Sequence, residues 1–165
     1  MNLGKYSGTS VKKSYALGKI AENGGGITGG TSFNAFNPYE DSFTAITNGN
    51  PFVGTNDGYP ETQDLYWENT ISNPDSSKVD STALNTDEMQ GESASSTMSG
   101  LDFQGTWQTV STQDSYSSDG YPILRDVNKS VQLREQGIVQ FAGGQGTETD
   151  PFEINSCQML QNMEY

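Results

Sequence analysis

Residues 11–30 read V-K-K-S-Y-A-L-G-K-I-A-E-N-G-G-G-I-T-G-G, a short alternating stretch set directly against a glycine-dense corner. Side chains of a strand separate with period 2, which puts Ser14, Ala16, Gly18 and Ile20 on one face and Tyr15, Leu17 and Lys19 on the other. A face of small residues suits a narrow stack in which successive strands lie about 4.8 Å apart. Gly24, Gly25 and Gly26 permit the positive φ angles of a sharp corner. This is the grammar of one coil of a β-solenoid. An ordinary hairpin strand followed by a glycine loop fits the segment equally well when it is read in isolation.

The pattern V-x-x-S-Y-A-x-G-x-I followed by G-G-I-x-G resembles the GLUG repeat of large bacterial and archaeal surface proteins. A second stretch runs from Asp64-Leu65-Tyr66-Trp67 through residues 83–89 and 98–103 to Trp107 and Gly120-Tyr121-Pro122-Ile123-Leu124. It is similar to the segment that closes such arrays. From Phe141, F-A-G-G-Q-G-T-E-T-D-P-F-E-I looks like the opening of a further module of the same proteins. One clear repeat is found where family members carry several. The resemblance implies a mainly all-β chain: a short β-solenoid or β-helix-like repeat with irregular Gly/Asn-rich loops and one short helix. It also implies an organisation into 1–128 (repeat and closing segment, with 31–62 an irregular insertion), 129–140 (linker or edge strand) and 141–165 (start of a following module, cut short). On that organisation, residues 129–165 are expected to be dispensable for the folding of 1–128.

Leu, Ile, Val and Phe make up 29 of the 165 residues. That falls under the roughly 20% below which a highly charged chain is suspected of disorder. Two Trp, eight Tyr and seven Phe argue for order, because a solvated linker has no use for so many rings. The result is an ordered but shallow fold. Residues 1–30 carry a net charge of +3 and residues 31–165 a net charge of −16, giving −13 overall. Such acidity repels phosphate backbones and anionic lipid, so neither nucleic acid nor membrane insertion is expected. The first residues, Met1-Asn2-Leu3-Gly4-Lys5, lack the apolar run of a signal peptide, and no stretch approaches the roughly 20 apolar residues of a membrane span. The expectation is a piece of a longer exported polypeptide, extracellular or at the cell surface.

Asn48-Gly49-Asn50-Pro51 and Asn56-Asp57-Gly58 are turn signals. Residues 31–62 read as irregular, with Phe33, Phe36, Tyr39, Phe43 and Phe52 folding back as an aromatic lid. The functional rival is a sugar platform of Phe33, Phe36, Tyr39 and Phe52, since rings stack on the apolar faces of pyranoses. Residues 65–71 read as a strand, and Thr86 starts a short helix within 86–99 whose first turn holds Asp87 and Glu88. Tyr66, Trp67, Leu101, Phe103, Trp107 and Tyr121 are the expected structural anchors.

The sequence contains no histidine, which removes the commonest neutral-pH base and the commonest metal ligand. A single cysteine, Cys157, cannot form an internal disulfide or a Cys-His pair, and it reads as a small apolar filler. The closest acidic sets are Asp87/Glu88, explained by the helix start, and Glu148/Asp150, explained by a turn before Pro151. Neither a calcium loop nor a phosphate loop is found. Asn128-Lys129-Ser130 is the one N-x-S/T sequon, a triplet that arises by chance in most chains of this size.

These readings lead to a non-catalytic structural or adhesive repeat module of a large cell-surface or secreted protein, with no cofactor and no metal. Its partners would be neighbouring repeats or modules, surface glycans, or like subunits. The rivals are a carbohydrate-binding or carbohydrate-cleaving β-helix domain and a filament subunit joined by strand addition.

Overall fold

Five parallel strands order the first part of the chain. In the computed structural model the described residues are 11–19, 28–31, 39–47, 53–56, 62–70 and 81–162. The strands there are β1 (Val11–Lys12), β2 (Tyr15–Lys19), β3 (Thr28–Thr31), β4 (Tyr39–Thr47), β5 (Val53–Asn56), β6 (Thr62–Glu68) and β7 (Thr82–Leu84). β1 and β2 lie end to end along one side of β4, with Val11 opposite Tyr39 and Tyr15 opposite Phe43. β6 takes the other side of β4, pairing Ser42 with Leu65 and Thr44 with Trp67, and β7 follows on β6. β3 and β5 form a separate parallel pair.

The step between β1 and β2 falls at Lys13, whose φ is 51°, and β6 has the same kind of residue at Asp64, with φ 52°. Each directly precedes the neighbour of Ser42, so two strands kink at one level of the sheet. The Ser14 N–H donates to Ser42 Oγ at 3.2 Å, and the Phe43 N–H donates to the Ser14 carbonyl at 3.2 Å. These bonds carry the pairing across the kink.

A strand with one wet face alternates in burial. Here Ser42, Phe43, Thr44 and Ala45 are buried in succession, as are Leu65, Tyr66, Trp67 and Glu68. Both central strands are therefore covered on both faces, the usual condition of parallel sheet.

The compact units are Met1–Thr86 and Asp87–Tyr165. In the second, α1 (Thr86–Met89) and α2 (Ser93–Thr97) are parted by Gly91, which has φ 61°. Met89, Ala94, Met98 and Leu101 are buried from this segment. β8 (Trp107–Val110) and β9 (Gly120–Leu124) form an antiparallel ribbon with a register shift between Gln108 and Val110. α3 (Lys129–Glu135) follows, started by Asn128, whose Oδ1 accepts the Val131 N–H. Val110, Tyr116, Ile123, Leu133 and Ile138 form a buried apolar cluster. Farther on, Phe141 and Phe152 stack with centroids 4.1 Å apart, and α4 (Cys157–Asn162) ends the described chain.

The expected mainly all-β solenoid with one short helix is thus corrected. Among the described residues, parallel sheet in the first unit is joined in sequence by four helices and an antiparallel ribbon, a mixed α and β composition. Residues 129–140, expected as linker or edge strand, instead supply α3 and the buried Gln132, Leu133 and Ile138. Phe141, expected to open a separate module, is itself buried, and its N–H donates to the Ser115 carbonyl at 2.8 Å. Residues 129–141 therefore pack within the second unit, which argues against their expected dispensability. Cys157 is exposed and fills no core.

Candidate functional site

The proposed sugar platform comprises Phe33, Phe36, Tyr39 and Phe52. Phe33, Phe36 and Phe52 lie outside the described residues, and so does the side chain of Tyr39, the first residue of β4. Asp87 and Glu88 sit in the first turn of α1, where the helix dipole favours acids. Glu148 and Asp150 are both exposed. The Asp150 carbonyl accepts the N–H groups of Gln145 and Thr147 at 3.0 and 3.1 Å, so this acidic set belongs to a turn. Tyr66, Trp67, Leu101 and Trp107 are buried, whereas Phe103 and Tyr121 are partly exposed.

What the parallel register brings together is a set of columns. Tyr15, Phe43 and Tyr66 occupy one level of β2, β4 and β6. The first two rings stack 5.5 Å apart with planes 8° from parallel. The three strands also match in sequence: K-K-S-Y in residues 12–15, E-D-S-F in 40–43 and Q-D-L-Y in 63–66. Two further copies of the strand read at residues 11–19 are thus present. The signal was available as a polar pair and one residue before an aromatic ring, but Ser and Thr at buried positions disguised it.

The next column is Ala16, Thr44, Trp67 and Ala83. A large indole fits because its neighbours in register are small, the alternation that close packing demands. Thr44 Oγ1 and Trp67 Nε1 are both buried, and neither has a hydrogen-bond partner among the described residues.

One level farther on, Glu68 stands opposite Leu84 and is 1% exposed. The hydroxyls of Thr70 and Thr86 both donate to its Oε1, and the two hydroxyl oxygens are 2.8 Å apart. The Asn69 N–H donates to the Leu84 carbonyl at 2.8 Å. A carboxylate enclosed in this way serves as an acceptor that ties the turn after β6 to Thr86, the last residue of the first unit. It is a structural joint, and its burial keeps it from a substrate.

No group of three or more His, Cys, Asp or Glu able to hold a metal occurs among the described residues, and no described helix is long and apolar enough to cross a membrane. No family model matches the chain, and no curated protein or solved structure matches it either.

Proposed function

We propose that this chain is a non-catalytic structural or adhesive module of a large cell-surface or secreted protein. The observation that carries the reading is the repetition of one strand sequence in register, with Tyr15, Phe43 and Tyr66 in a single column. Stacked copies of a short unit bury one another's faces, which suits a load-bearing scaffold and consumes surface that a catalytic cleft would need. The likeness of residues 11–29 to the GLUG repeat agrees with this, as does a net charge of −13, which keeps a surface module from adhering to anionic lipid or nucleic acid. Partners on this reading are neighbouring modules of the same protein, together with surface glycans or like subunits.

Protease shaving of intact source cells tests the location. Peptides of this chain should be released without lysis, and their appearance only after lysis would overturn the reading. Incubating the purified chain with polysaccharides tests the rest, because release of new reducing ends would make it an enzyme.

A further inference from the structure

We propose that Asn128 is an acceptor site for N-linked glycan, an inference that rests on the surface or secreted reading above. The sequon Asn128-Lys129-Ser130 has little weight as a bare triplet, and three features of the fold give it more. First, the corner is open: Asp126, Val127, Asn128, Ser130 and Val131 are all exposed. Second, the two ends of the Asn128 side chain are divided in labour. Oδ1 accepts the Val131 N–H at 3.3 Å, while Nδ2 has no hydrogen-bond partner among the described residues. Glycosylation replaces one hydrogen on Nδ2 and leaves the amide carbonyl intact, so the bond that starts α3 survives the modification. Third, Val127 and Val131, 47% and 41% exposed, flank the site and are two of the large apolar residues this unit leaves in water. A first sugar on Nδ2 would lie over them.

The reaction is a substitution with no redox step. Nδ2 gives up a proton, which passes to solvent, and bonds to the anomeric carbon of a sugar carried on a lipid-linked phosphate or diphosphate. The bond from that carbon to phosphate oxygen breaks, and the lipid phosphate leaves with the electron pair. Asp126 places an acid two residues before the asparagine, the arrangement that bacterial oligosaccharyltransferases select.

The test attaches an export signal to the full chain and expresses it in two hosts, yeast and a bacterium carrying a periplasmic oligosaccharyltransferase. Intact mass should rise by one glycan, mapped to the peptide containing Asn128, and the rise should vanish in Ser130→Ala. Asp126→Ala should abolish it in the bacterial host and spare it in yeast. An exported, folded chain left unmodified in both hosts, beside a control sequon that is modified, overturns the proposal. Shaving of native cells separates the two readings: release of an unmodified Asn128 peptide sinks this inference and leaves the surface location standing.

Discussion

The side-chain amide of Gln136 is bonded at both ends to Tyr121, accepting its N–H at 2.8 Å and donating to its carbonyl at 3.1 Å. One helical turn earlier, Gln132 treats Leu124 in the same way, at 2.8 and 2.9 Å, and donates also to the Val127 carbonyl at 3.1 Å. Residues four apart lie on one face of a helix, so α3 and its C-cap residue present two amides to β9 as a neighbouring strand would present two peptide groups. The backbone edge of β9 is satisfied by side chains, which also denies it to another chain.

Gln132→Leu should therefore destabilise the protein by about 1–3 kcal/mol, because the partly buried N–H and carbonyl of Leu124 lose their partner. Gln136 is less buried, and Gln136→Leu should cost less. Urea unfolding would rank the two. An unchanged midpoint for Gln132→Leu would mean that water replaces the amide and that β9 is not sealed.

Gly120 lets the glutamine come so close. A Cβ there would lie 2.3 Å from Ile138 Cδ1 and 2.8 Å from Gln136 Oε1. Gly120→Ala should cost about 1–3 kcal/mol through overpacking. Pairing it with Ile138→Val should recover part of the loss in a double-mutant cycle, and strict additivity would place the clash elsewhere.

The same glutamines explain what the sequence hid. Residues 127–138 read V-N-K-S-V-Q-L-R-E-Q-G-I, and the alternation of Val131 with Leu133 suggests a strand. In the fold Val131 is exposed, and the buried face is Gln132 and Leu133 with Gln136 beside them, so a polar residue carries the inward position. β4 was hidden for a related reason. Residues 31–62 read as irregular, yet Ser42 and Thr44 are buried in β4, and a strand covered on both faces shows no alternation. Where ordinary signals governed, the positions emerge from the chain: β2 from its period-2 alternation and α1 from its first-turn acids. The mixed fold class was not legible, because no single helix is long enough to impose a period of 3.6 on the sequence.

Thr44→Val should leave stability unchanged or raise it. The hydroxyl is buried without a partner, and exchanging such a group for an apolar one of the same shape removes an unmet desolvation cost. Trp67→Ala at the opposing position should cost about 3–5 kcal/mol. A drop of more than about 1 kcal/mol for Thr44→Val would reveal a bond to the hydroxyl that the static structure lacks.

Thr86→Val tests the joint at Glu68. Removing one hydroxyl donor from a carboxylate that is 1% exposed should cost about 1.5–3 kcal/mol. Thr70→Val, at a more exposed position, should cost less. Equal small effects at both sites would show that the carboxylate is held by other groups.

Two truncations decide where the second unit ends. Stopping after Asn128 removes Leu133, Ile138 and Phe141, all at least nine-tenths buried, along with Gln132. Each apolar side chain contributes about 1.5–3 kcal/mol by its burial. Together the three rival the whole stability of a small domain, about 5–15 kcal/mol. The cooperative transition of this unit should disappear, read as loss of exchange protection at the Val110 and Ile123 amides. Stopping after Ser156 removes α4, where Cys157 and Leu160 are exposed, and keeps the Phe141 and Phe152 stack. That shorter loss should shift the melting temperature by a few degrees at most. If the chain ending at Asn128 retained protection at both amides, α3 would be an accessory, and the unit would close at β9 as the sequence first suggested.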